Sequence, residues 1–174
     1  MPFDSGAYGA QVAEILRLIE EGDGTRAAAL IRENGAAPFA GSRAPEAALA
    51  GLYLRAGCWR EAHETAQEID TREGSYWHAI VHREEPDAGN SAYWFRQTGE
   101  HPIFPALAEA AAQAGFRAGA KWNPLAFIAL CEEARSRPGS ERERQAREIS
   151  RAEWQLLFDW CARKNAPSAP SSTA

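Results

Sequence analysis

The chain has no excess of positive charge, no paired-cysteine motif, no long apolar run and no stretch of sustained apolar–polar alternation. Each absence removes a class. With 19 Lys and Arg against 24 Asp and Glu, the formal net charge is −5, so the basic footprint of a nucleic-acid-binding surface is missing. Cysteine occurs only at Cys58, Cys131 and Cys161, far apart and never as Cys-x-x-Cys. That pattern fits small apolar residues in a reducing compartment rather than a disulfide framework. No apolar run approaches the roughly 20 residues that span a bilayer as a helix, and Met1 to Gly6 lack the basic start and apolar run of a secretion signal. A soluble cytoplasmic protein is the expectation. No segment alternates long enough to make a strand, so the expected class is all-α.

What the chain does have is a large apolar fraction and regular punctuation. At 174 residues, 45% of them hydrophobic, it is long enough to bury one substantial core and too apolar for wholesale disorder. One domain is expected over residues 1–164, with Asn165 to Ala174, rich in Pro, Ser and Ala, as a disordered tail. Glycine, proline, asparagine and aspartate cut the domain into short helical pieces. Tyr8, Val12, Ile15, Leu16 and Ile19 recur at helical spacing over Tyr8 to Glu21, and a second helix runs from Thr25 to Asn34. Pro45 opens a third that closes at Gly57, and Trp59 to Ile69 follows. Ser75 to Glu85 and Ala88 to Thr98 form the next pair, with Asp87 placed to cap the second. Ile103 to Phe116 and Pro124 to Arg137 come next, the latter capped by Asn123. Ser140-x-x-Glu143 reads as a capping box, opening a long last helix with Ile149, Ala152, Leu156, Leu157 and Trp160 inward.

Two consecutive segments share a plan. Ala48-Leu49-x-x-Leu52-Tyr53-x-x-Ala56-Gly57-x-x-x-x-Ala62 is a helix, a tight turn and a helix opening on small residues. Ala79-Ile80 through Pro86-Asp87 to Ala92-Tyr93-Trp94-Phe95-Arg96 repeats it with a longer turn. Over residues 46 to 118 this resembles the tetratricopeptide and Sel1-like class of helical hairpins, with incomplete Trp, Gly and Pro positions. The resemblance implies a short hairpin stack whose long C-terminal helix acts as a cap, and a concave face that binds peptides or protein segments. Trp77-His78-Ala79-Ile80-x-His82-Arg83, with Trp122-Asn123-Pro124 and Glu153-Trp154-x-Leu156-Leu157-Phe158, also resembles a group of uncharacterised microbial proteins. That second resemblance implies no activity and no catalytic residues.

The chemistry-bearing residues concentrate between Tyr76 and Pro102, which hold three of the four histidines. His78 and His82, four apart on a helix, share one stripe and can share a metal ion. At about 100° per residue they fall beside the apolar stripe of Tyr76, Trp77, Ile80 and Val81, so they are expected to face solvent or a groove. A third ligand could come from His101, His63 or the carboxylates Glu84, Glu85 and Asp87, with zinc or iron the metals that suit the set. Ala79 stands where a His-Glu-x-x-His metalloprotease has its base. Histidines hydrogen-bonded to Glu84, Asp87 or Asn90 as plain structural groups, or acting with Tyr93 in acid–base chemistry, are the other readings.

Around them, Arg83 and Arg96 with Asn90 could hold an anion, or form local salt bridges to Glu84, Glu85 and Asp87. Trp77 reads as core, Trp94 as an exposed stacking residue, and Trp122, Trp154 and Trp160 as pins for the C-terminal helices. Two functions follow. One is a binding module whose groove, built from His78, His82, Asn90, Tyr93, Trp94, Arg96 and His101, takes a peptide, a protein segment or a small polar ligand, with neither nucleic acid nor membrane as partner. The other is a small zinc or iron enzyme anchored by His78 and His82, with His101 the leading third ligand.

Overall fold

Short polar side chains start five of the nine helices among the described residues. Asp23 accepts from the Arg26 N–H at 3.1 Å, Thr71 from Gly74 at 3.4 Å and Asp87 from Asn90 at 3.1 Å. Asn123 accepts from Leu125 and Ala126, and Ser140 from Glu143 at 3.2 Å. Each bond satisfies a first-turn N–H that has no partner inside its own helix. Glu143 reaches back to the Gly139 N–H at 2.6 Å, one residue before the position an ideal capping box uses.

The computed structural model describes residues 5–117, 119 and 121–164; the expected tail, 165–174, lies outside them. The helices are α1 (Ala10–Glu20), α2 (Gly24–Asn34), α3 (Pro45–Arg55), α4 (Trp59–Gln67), α5 (Arg72–Glu84), α6 (Ala88–Thr98), α7 (Phe104–Gln113), α8 (Pro124–Ser136) and α9 (Glu141–Ala162). Single 3-10 turns lie at Ser5–Tyr8 and Ala37–Phe39. The described residues contain no strand, only an isolated bridge between Ser42 and Lys164. The class is all-α. No described helix is long and apolar enough to cross a membrane.

Each helix from α1 to α5 packs against the one that follows it, and α9 lies against α3, α7 and α8. Helix α5 sits in the middle, touching α3, α4 and α6. It is therefore buried almost all round: Tyr76, Trp77, His78, Ala79, Ile80, Val81 and Arg83 are all inside. Close packing against α3 needs a gap, and Gly51 supplies it. A Cβ there would lie 2.7 Å from Cζ2 of Trp77 and 3.2 Å from Phe158. The Trp154 indole N–H donates to the Gly51 carbonyl at 2.9 Å, and Trp154 stacks on Phe158 with ring centres 4.7 Å apart. Trp77 is core, as its place in the apolar stripe predicts.

Three local expectations shift. Helix α5 starts at Arg72 rather than Ser75, because Thr71 supplies the cap. The buried stripe of α9 runs through Ile149, Glu153, Trp154, Leu157, Phe158 and Cys161, leaving Ala152, Leu156 and Trp160 half-buried. The surprise in that stripe is Glu153. It is paired with Arg83, also fully buried, and accepts from the Tyr76 hydroxyl at 3.0 Å. Arg83 thus forms neither an anion site nor the local bridges expected with Glu84, Glu85 and Asp87. Its guanidinium lies over the Phe127 ring at 4.5 Å. The three cysteines are unbridged, with Cys131 and Cys161 buried.

Candidate metal centre

Helix α4 runs alongside α5, and this brings His63 to the two histidines of α5. One ligand atom from each of His63, His78 and His82 lies within 4.8 Å of the others. The Nε2 atoms of His63 and His78 are 3.0 Å apart, one donating and the other accepting. The His63 ring stands perpendicular to both partners, with centroid distances of 4.5 Å to His78 and 5.1 Å to His82. His78 and His82 stack at 4.8 Å, one helical turn apart. On the other face of His78, the Trp94 indole stacks at 4.2 Å.

The helical spacing correctly puts His78 and His82 on one stripe, but that stripe does not open into a hollow. His78 is 2% exposed, because α4 and α6 close over it with His63 and Trp94. His82 keeps slight access to solvent. The enclosure is imidazole and indole rather than aliphatic, and it has an electrostatic consequence. Burial, reinforced by His63 and His82, lowers the pKa of His78 to about 4. Burial also lowers His82, with Asp87 and Glu85 opposing the shift. At neutral pH these rings therefore keep a free nitrogen lone pair, the form that ligates metal.

The other expected site residues divide. Asn90 is exposed, but its side-chain amide donates to Asp87 at 2.7 Å. Tyr93 is half exposed, Arg96 is exposed, and Trp94 is half-buried against His78 rather than a free stacking surface. His101 is not brought to the cluster. It is buried elsewhere, among the rings of Tyr76, Phe104 and Trp160. Its Nε2 faces Glu73 at 3.8 Å, and Nδ1 accepts from the Ile103 N–H at 3.4 Å. The connection from α6 to α7 carries it to the side of α5 that holds Tyr76, where it cannot share an ion with His78 and His82. Of the third ligands the sequence offers, His63 is the one the fold delivers.

The His101 corner has a role of its own. Glu73 also accepts from the Trp160 indole N–H at 3.0 Å, tying α5 to α9. The neighbouring His101 ring is the chief reason that the Glu73 carboxyl is held down at about 2, from an ordinary 4.5. A depressed carboxyl contributes stability that is complete above its unfolded value and lost as pH falls through the folded one. The corner should therefore weaken between about pH 4.5 and 2. Glu73→Gln should cost about 1–2 kcal/mol at neutral pH, after discounting for solvent screening. Thermal melts stepped through that acid range should fall less steeply for the variant than for wild type. Parallel slopes would remove Glu73 as the cause.

Three imidazoles, without thiolate and without a carboxylate among the ligand atoms, suit a borderline metal such as zinc rather than magnesium or calcium. Tetrahedral zinc with bonds of about 2.0–2.1 Å sets ligand nitrogens about 3.3 Å apart. The closest pair here is already at 3.0 Å, and side-chain rotation within the cluster would draw in the third. Three protein ligands leave a fourth position for water or a small ligand. In comparisons with known proteins, the chain matches no family model, no curated protein and no solved structure.

Proposed function

We propose that this protein is a helical-hairpin binding module whose working part is a divalent transition-metal centre, held by His63 of α4 and by His78 and His82 of α5. One observation carries this reading: three imidazoles from two helices converge within 4.8 Å of one another, and burial holds the pKa of His78 and His82 down. Zinc is the ion that suits the set. Iron enzymes of the two-histidine type also use a carboxylate ligand, and here the nearest carboxylates, Asp87 and Glu85, stand 3.9 Å from the His82 ring. Zinc with an open position would polarise a carbonyl or lower the pKa of bound water, so hydrolysis is the reaction class if the centre is catalytic. The unbridged cysteines support a reducing, cytoplasmic setting.

A scaffold reading without metal rests on α6. Tyr93 is 50% exposed there, near the exposed Asn90 and Arg96, a combination of the kind that contacts peptides or small polar ligands.

Equilibrium dialysis against zinc separates the two. The metal reading requires one ion per chain, with affinity lowered more than about 100-fold in His63→Ala and in His78→Ala, a larger loss than an outer-shell change gives. Zinc at 100 times its dissociation constant should stabilise by about 2.7 kcal/mol, raising the melting temperature by about 5–10 °C. Wild-type protein that takes up no zinc, or a His63→Ala variant that binds it undiminished, would refute the centre and leave the α6 surface as the site.

A further inference from the structure

Resting on that reading, we infer that Asp87 is the carboxylate that orients His82 towards the metal, and that Asn90 holds Asp87 in place to do it. The Nδ1 atom of His82 is buried and has no hydrogen-bond partner. It faces two carboxylates at equal distance, 3.9 Å from Oδ2 of Asp87 and 3.9 Å from Oε2 of Glu85. A buried imidazole nitrogen with no partner is costly unless something completes it. A metal ligand normally completes it by donating its second ring N–H to a carboxylate, which fixes the tautomer and aims the other nitrogen at the ion.

The two carboxylates differ in how they are held. Asp87 is fixed at three points: its backbone N–H donates to the His82 carbonyl at 2.8 Å, its Oδ1 accepts from the Asn90 N–H at 3.1 Å, and its Oδ2 accepts from the Asn90 side-chain amide at 2.7 Å. Oδ2 keeps a second lone pair for His82. Glu85 has a longer side chain with more rotamers to lose on being fixed. A slight turn of the imidazole brings Nδ1–H onto Asp87 and leaves Nε2 as the ligand atom. Asp87 is thereby a positioning residue, and its capping of α6 is its second task.

The test compares zinc affinity, by competition with a chromogenic chelator, for wild type, Asp87→Asn, Glu85→Gln and Asn90→Ala, with cobalt(II) spectra as a second readout. Asn caps a helix as well as Asp, so Asp87→Asn should retain the wild-type circular dichroism and melting temperature of the metal-free protein. It should lose about 10–100-fold in zinc affinity and shift the cobalt d–d bands, with Asn90→Ala losing less and Glu85→Gln changing by under about threefold. If wild type binds zinc and His82→Ala weakens it, but Asp87→Asn binds like wild type with an unshifted spectrum, the positioning role is refuted while the centre stands. A greater loss in Glu85→Gln than in Asp87→Asn would overturn the choice of carboxylate. Wild-type protein that binds no zinc overturns both readings.

Discussion

Glu153→Gln should lower the melting temperature by about 6–20 °C, the equivalent of about 3–5 kcal/mol in a chain of this size. Glu153 and Arg83 are both fully enclosed. Taking two charges out of water is expensive, and only their mutual attraction, with good hydrogen bonds, offsets it. The amide in Glu153→Gln keeps an acceptor for the Tyr76 hydroxyl but leaves the guanidinium without a counter-charge. That separates electrostatics from packing. Replacing both partners together, as Arg83→Met with Glu153→Gln, removes the stranded charge and should recover most of the loss. Thermal unfolding of the two variants decides it. A single variant within about 1 kcal/mol of wild type would mean that water reaches the pair.

The second large effect is expected at Trp77, the largest of the fully buried side chains. Trp77→Ala empties a volume that the surrounding helices can only partly refill, at about 3–5 kcal/mol. The cost should be coupled to Gly51. Against intact Trp77, a methyl at position 51 meets the ring at 2.7 Å, an overpacking worth about 1–3 kcal/mol. With the indole gone, the same methyl loses its closest clash and keeps only the 3.2 Å approach to Phe158. Adding Gly51→Ala to Trp77→Ala should therefore cost less than the sum of the single changes. Denaturant melts of the four proteins in the cycle measure that coupling, and strict additivity would show that the two residues do not share a cavity.

These two sites also mark where reading from sequence stops. Helix starts were legible at Asp87, Asn123 and Ser140 because a cap is a bond between residues two or three apart. The His78–His82 stripe was legible because it depends on helical period alone. The third imidazole was not. The sequence put His101 first, with His63 and three carboxylates as further candidates, and only the packing of α4 on α5 singles out His63. Exposure failed in the same way. A helix with a polar side is normally an edge element, but α5 lies between three others, so His78 and Arg83 are covered by neighbours that local sequence does not name. Arg83 and Glu153 are 70 positions apart, and nothing in either neighbourhood points to the other.

The last helix joins parts of the chain that are made at very different times. It gives Trp154 to Gly51, 103 positions earlier, Glu153 to Arg83, and Asp159 to Tyr8, 151 positions earlier. While a ribosome has yet to deliver α9, Arg83 lacks its counter-charge and Trp77 lacks part of its cover. Local hairpins can form early, but the core cannot close until synthesis has passed Cys161, which is buried in it. Until α9 arrives, the chain therefore presents a bare apolar seam to its surroundings, the kind of surface that makes partly folded species prone to association.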